Sequence, residues 1–150
     1  MNGRELYGAI YSGKRVDRLP VRGIGGWSEA VDRWRTEGLI ADEDVNVALG
    51  LVADETVGLH PYEIKAGMDT HELRRQYPTL CLNGGIDKTA VAEGGRKLEA
   101  EFERRFRTAW ELERYTPGLD HGAPPDISWA NMQHYARLFL AWCKSPHGPK

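Results

Sequence analysis

The chain has 150 residues, 28% of them charged and 41% hydrophobic, which is the make-up of an ordinary globular domain with a core of its own. Its 20 basic and 22 acidic side chains interleave to a net charge of −2, so no pull toward nucleic acid or an anionic membrane surface is expected. The apolar runs are too short to span a bilayer and Met1-Asn2-Gly3-Arg4-Glu5 lacks signal-peptide character, so the expected compartment is the cytoplasm.

Leu6 and Ile10, flanked by Tyr7 and Tyr11, predict a short helix that Gly13 ends. A first strand is expected over 19–24, with Pro20 near its start, and Gly25-Gly26-Trp27 as a sharp exit. Ser28 is the expected N-cap of a helix over 29–37, with Ala30, Val31 and Trp34 on its apolar face and Gly38 closing it. A further helix over 42–51, capped by Asp42, presents Val45, Ala48 and Leu49 on one side. The stretch 52–57 has no clear period, and 58–63 reads as a strand end followed by a polar loop. Asp69, with Glu72 three residues on, has the spacing of a capping box for a helix through Tyr77, which Pro78 stops.

Two stretches then share one pattern. Leu80-Cys81-Leu82-Asn83-Gly84-Gly85-Ile86-Asp87-Lys88 and Tyr115-Thr116-Pro117-Gly118-Leu119-Asp120-His121-Gly122 each join a short inner strand to a glycine, an aspartate and a titratable or cationic residue, ahead of an amphipathic helix. Strand, polar loop and helix in series form the βα unit of a parallel sheet or barrel, whose chemistry gathers at the strand C-terminal ends. The first of these helices is expected over 90–113, with Leu98, Phe102, Phe106 and Trp110 buried and Glu99, Glu103, Arg104, Arg105 and Arg107 on a solvated face. Ser128 is expected to cap a last helix whose stripe is Trp129, Met132, Tyr135, Ala136, Phe139 and Cys143. Cys81 and Cys143 read as reduced thiols, and no Cys-x-x-Cys or His-x-Cys spacing supports a metal site. Four strand candidates, each followed by a helix, correspond to half of an eight-stranded barrel, whose open edges need covering.

At Gly84-Gly85-Ile86-Asp87-Lys88 and across 117–126 the sequence resembles the uroporphyrinogen decarboxylase (URO-D) family, in particular its divergent bacterial branch. The likeness extends to 61–69, to Ser128-Trp129, to 15–21 and to Gly26-Trp27. The resemblance implies an α/β fold: a partial (β/α)8 TIM barrel of about four βα units, since complete barrels of this kind run to roughly 250 residues or more. Residues 1–52 resemble the family's opening and 58–145 its last βα units, in a single shortened domain with a join near 53–58 and the middle of the barrel missing.

The family decarboxylates the acetate arms of a reduced tetrapyrrole without metal or organic cofactor. A pyrrole carbon is protonated, a carboxylate supports the resulting cation, and arginines hold the polyanionic substrate. By resemblance this chain is a cofactor-independent carboxy-lyase acting on uroporphyrinogen, in porphyrin biosynthesis, or on a related polycarboxylate. His121 matches the family's C-terminal active-site histidine, and its reference pKa of about 6.5 suits proton handling. His121 and Asp87 are the catalytic candidates; Lys88, Glu63, His60, Arg22 and Asp120 are candidates to hold substrate, and no residue is assigned to a metal. Two departures stand out: the arginine-rich loop after the first strand is reduced to Arg22, and the family's pyrrole-contacting aspartate belongs to the missing part. The alternative is a non-catalytic remnant or a self-associating half-barrel, two copies of which would close eight strands as a homodimer. A sister group transfers methyl groups from corrinoid proteins using zinc, and the absence of His-x-Cys separates this chain from it.

Overall fold

A computed structural model describes residues 1–54 and 61–148. Helix α1 (Gly3–Tyr11) opens with a reciprocal cap, in which Asn2 Oδ1 accepts from the Glu5 amide at 2.9 Å and Glu5 Oε2 from the Asn2 amide at 3.0 Å. It buries Leu6, Tyr7 and Ile10, as their spacing predicts. The expected strand over 19–24 is absent. That segment has no strand partner among the described residues, and just past it an isolated parallel bridge outside the sheet joins Gly26 to Ala123. The bridge sets the start of α2 (Ser28–Thr36). Trp27 donates its amide to Ala123 O at 3.0 Å, which holds it extended in the N-cap position and puts Ser28 inside the helix instead of at its cap.

The helix expected over 42–51 shrinks to one turn, α3 (Val45–Ala48), capped by Asp44 and not by Asp42. Strand β1 (Tyr62–Ile64) takes in Tyr62 and Glu63, where a polar loop is expected, and the expected strand end at 58–59 lies outside the described residues. Helix α4 (Thr70–Gln76) is capped by Asp69, whose carboxylate accepts from His71 and Glu72 amides. Then come β2 (Leu82–Ile86), α5 (Lys88–Glu93), α6 (Gly95–Glu111), β3 (Tyr115–Leu119) and α7 (Trp129–Lys144), the last capped by Ser128 as expected. What periodicity reads as one helix over 90–113 is two, because Gly94 (φ 69°) and Gly95 (φ 52°) are left-handed. The break is filled from α7: Asn131 Nδ2 donates to Ala92 O at 2.8 Å, and a Cβ on Gly94 would lie 2.5 Å from Asn131 Oδ1.

The sheet is parallel and ordered β1-β2-β3, with Leu82 opposite Tyr62 and Tyr115. The described residues thus form a mixed α/β chain with three strands, one fewer than expected, and the bridge at Gly26 takes the place beyond β3. Helices α6 and α7 pack against one another through Phe102, Phe106, Tyr135 and Phe139, whose rings lie 5.1 to 6.3 Å apart, stacked or edge-on. Among the described residues no helix is long and apolar enough to cross a membrane. Cys143 is buried and Cys81 half-buried, both as free thiols.

One expectation for α6 is overturned in its middle. Arg105 is 1% and Glu101 8% exposed, although the charge pattern assigns this face to solvent. Arg105 Nε pairs with Glu101 Oε1 at 3.2 Å, while its other nitrogens donate to Thr70 Oγ1 (3.1 Å) and Ala66 O (2.5 Å). Glu101 Oε1 also accepts the Asp87 amide at 3.1 Å, and Oε2 accepts from Arg104. The pair therefore ties the loop after β1 and the loop after β2 to a single helix. Glu101 also pairs with Arg104, but no other carboxylate pairs with Arg105 among the described residues. Removing Glu101 therefore leaves the buried Arg105 charge uncompensated, whereas removing both leaves no buried charge. Glu101→Leu is expected to lower unfolding free energy by about 3–5 kcal/mol in urea titrations, and Glu101→Leu with Arg105→Met to recover most of that loss.

Candidate functional site

The strand C-terminal ends, the 22–25 segment and α7 enclose a cavity of about 380 Å³. Its floor follows from strand register. Glu63 pairs with Asn83 and Asn83 with Thr116, so the three occupy one row across the sheet. Glu63 and Asn83 line the cavity, whereas Thr116, fully buried, shares a 3.0 Å hydrogen bond with the Tyr11 hydroxyl.

Arg22 enters from the opposite side. Its Nη1 is buried and, among the described residues, has no hydrogen-bond partner; the same is true of Asn83 Oδ1. Glycine makes the room: a Cβ on Gly118 would lie 2.8 Å from Arg22 Nη1. Two anchors hold the backbone on either side of Arg22. Asp54 accepts the Val21 amide at 2.9 Å and both terminal nitrogens of Arg18, at 2.7 and 2.9 Å. Asn46 accepts the Ile24 amide at 2.7 Å and donates to Ile24 O at 3.1 Å. The hydrogen bonds from Arg18, and then the Val21 amide, hold the Asp54 carboxyl below its ordinary pKa.

Three phenols feel the charge of the guanidinium. Burial raises the pKa of Tyr7, Tyr11 and Tyr135, and the positive charge of Arg22 opposes that rise at each of them. All three are neutral near pH 7, so none of them supplies the arginine with a counter-charge. Behind the sheet Tyr115 donates to Gly84 O at 2.9 Å, its own pKa pushed up to about 12 by burial.

The rim is built on Asp120. Its amide donates to Ile86 O (2.9 Å), its carbonyl accepts from Lys65 Nζ (2.9 Å), and its Oδ1 accepts the Lys88 amide (3.3 Å), so one residue ties together all three strand ends. His121 is exposed at the mouth. Its ring lies edge-on to Trp27 at 5.7 Å, and Nδ1 lies 3.3 Å from Gly122 O. His121, Asp120, Glu63 and Arg22 thus come together as the sequence suggested. Two candidates do not line the cavity. Asp87 caps α5, accepting the Thr89 amide at 2.8 Å, and Lys88 takes part through its backbone amide. His60 lies outside the described residues.

Sequence reasoning passed over Asn83, Lys65 and Tyr135, which also line the cavity. A polar residue in the middle of a strand that is buried along its whole length was the available signal for Asn83. Tyr135 was absorbed into the buried stripe of α7, where its ring does pack on Phe139. Among the described residues no group of three or more His, Cys, Asp or Glu is placed to hold a metal ion. Comparison of the chain with protein-family models, curated proteins and solved structures finds no match.

A lowered carboxyl pKa adds stability that is fully present above the ordinary value and disappears as pH falls through the folded one. Asp54→Asn is therefore expected to cost about 1–2 kcal/mol at pH 7, discounted for the partial exposure of Arg18. The gap to the wild type should close as pH drops below about 4, as read from denaturant titrations across pH.

Proposed function

We propose that the strand C-terminal rim is a carboxylate-binding site and that the chain is a shortened relative of the uroporphyrinogen decarboxylase barrel, working as a cofactor-independent carboxy-lyase. The observation that carries this reading is Arg22: a buried guanidinium nitrogen without a partner among the described residues, facing a cavity and held by anchors on both sides. A buried donor left unpaired costs free energy that an anionic ligand recovers, and a guanidinium matches a carboxylate in charge and planar geometry. Support for the barrel relationship comes from the parallel order β1-β2-β3, the bridge that sets the first segment beside the last strand, and a cavity at the strand C-terminal ends.

In this mechanism Arg22 fixes the substrate carboxylate. His121, at the mouth, delivers a proton to a substrate carbon, which converts the attached π-system into an electron sink. The bond to the carboxylate then breaks, its electron pair flows into the sink, and carbon dioxide leaves. Glu63 stabilises the transient positive charge; the carbon that lost the carboxylate then takes a proton from solvent, and the ring carbon returns its first proton to His121, so that one proton is consumed per carbon dioxide released. Asp87 and Lys88 act through position, as the cap and first residue of α5, and Asp120 orients the rim.

The test is carbon dioxide release from uroporphyrinogen and from smaller carboxylates. Arg22→Gln is expected to abolish release, and His121→Ala to slow it by roughly a hundred- to ten-thousand-fold with the melting temperature unchanged. Release that survives both substitutions would refute the assignment.

A second reading is favoured by one feature of the sheet. Among the described residues β1 pairs only with β2, and Tyr62 on it is 46% exposed. A free parallel edge is a template for a second copy, as in a self-associating half-barrel. Light scattering on eluted protein is expected to show a dimer that Tyr62→Lys shifts to monomer, whereas a wild-type monomer at high concentration excludes this reading.

A further inference from the structure

The proposed carboxylate site also carries a second orphan of the opposite kind. Asn83 is 7% exposed, sits in the middle of β2, and its Oδ1 is buried without a partner on the same cavity that Arg22 enters. Arg22 can only donate, and the amide oxygen of Asn83 can only accept. A ligand that satisfies one and ignores the other leaves a buried polar atom unpaired, and such a ligand is selected against more strongly than one lacking a favourable contact.

The charges facing the cavity bear on the ligand as well. Arg22 and Lys65 stand against Glu63 and Asp120, so the formal charges cancel with His121 neutral. Lys65 is already engaged with Asp120 O. Among the described residues that line the cavity this leaves one free strong cationic donor, enough for one carboxylate. A substrate with many carboxylates would bring its further charges against Glu63 and Asp120 without counter-ions, which is unfavourable at short range. The cavity volume of about 380 Å³ lies near the lower end of the range for small-molecule sites, and Ile24, Ile64 and Leu119 give it apolar walls.

We propose that the ligand of this site is a compact monocarboxylate that carries its own hydrogen-bond donor, its carboxylate on Arg22 and its donor on Asn83 Oδ1. The inference rests on the carboxylate-binding reading and narrows it from polycarboxylates to a single charge with a neighbouring hydroxyl or N–H group.

Three matched probes isolate the donor. Mandelate carries a hydroxyl beside its carboxylate, O-methylmandelate keeps the oxygen but not the proton, and phenylacetate has neither. Calorimetric or amide-NMR titration of the full chain is expected to show mandelate binding about tenfold more tightly than the other two, the equivalent of about 1.4 kcal/mol. Asn83→Leu should erase that preference while phenylacetate still binds, and Arg22→Gln should remove binding of all three. Should Asn83→Leu fail to fold, the wild-type comparison of mandelate with O-methylmandelate decides alone.

Equal affinities for the three probes, lost together in Arg22→Gln, overturn the inference and leave the carboxylate site standing. Tricarballylate binding more tightly than mandelate overturns the single-charge assignment in the same way. Absence of Arg22-dependent binding for every probe overturns the carboxylate site itself, and the inference with it.

Discussion

The buried pair of Arg105 and Glu101 is the constraint on which the geometry of the rim depends. An arginine cannot be deprotonated in a protein, so burying it obliges the surroundings to supply acceptors. Here the acceptors are a carboxylate from the same helix, the Thr70 hydroxyl and the Ala66 carbonyl, the last two from the region joining β1 to α4. Glu101 spends part of its own capacity on the Asp87 amide, at the point where β2 turns into α5. Two βα connections are thus held to one helix by hydrogen bonds that cannot be exchanged for water. Gly85 belongs to the same arrangement: with φ 92°, a Cβ there would stand 2.9 Å from Ile64 and 3.0 Å from Arg105. The glycine that gives β2 its unusual backbone also makes the close approach of the guanidinium possible.

That scaffold explains why some candidate residues reach the cavity and others serve it. Asp87 and Lys88 lie at a strand end, where catalytic groups gather in folds of this kind, yet the carboxylate and amide of Asp87 and the amide of Lys88 are occupied in closing the turn. Asp120, at the equivalent point of β3, is likewise engaged through its amide, carbonyl and carboxylate. Arg22 and Asn83 contrast with all of these, because the first is held through its neighbours' backbone and the second through its place in a strand. Among the described residues, Arg22 Nη1 and Asn83 Oδ1 remain unpaired.

Much of this was legible in the chain. The two strand-glycine-aspartate stretches marked β2 and β3, the three-to-four spacing marked α1 and the faces of α6 and α7, and the places of Asp120 and His121 after a strand put them at the cavity mouth. What was not legible depends on partners remote in sequence. Arg105 looks like any charge on a solvated helix until Ala66 and Thr70 are folded over it. The break at Gly94 needs Asn131 from α7 to fill it, and the start of α2 is set by Ala123, nearly a hundred residues away. Residues 19–24 have the residue types of a strand but are held by side chains, Asp54 and Asn46, in place of a neighbouring strand's backbone. Periodicity reports which face is apolar and is silent about which polar groups will be enclosed.

The remaining question is why a fold would retain two unsatisfied polar atoms in one cavity. Each imposes a desolvation cost of about 1–3 kcal/mol on the empty protein, a sizeable share of the total stability of a small domain. A core selected for stability alone would remove them, for instance with an apolar residue at 83, or would give Arg22 a carboxylate partner. The three phenols that feel its charge are kept neutral by burial. The buried Nη1 of the arginine therefore gets no counter-charge from them, and an incoming anion gains from supplying one. Destabilisation held locally, by anchors that do not themselves touch the cavity, converts folding free energy into affinity for whatever completes the hydrogen bonds. The contrast between Asp120, engaged through amide, carbonyl and carboxylate, and the unpaired Nη1 of Arg22 and Oδ1 of Asn83 is the strongest physical reason to read this cavity as a binding site.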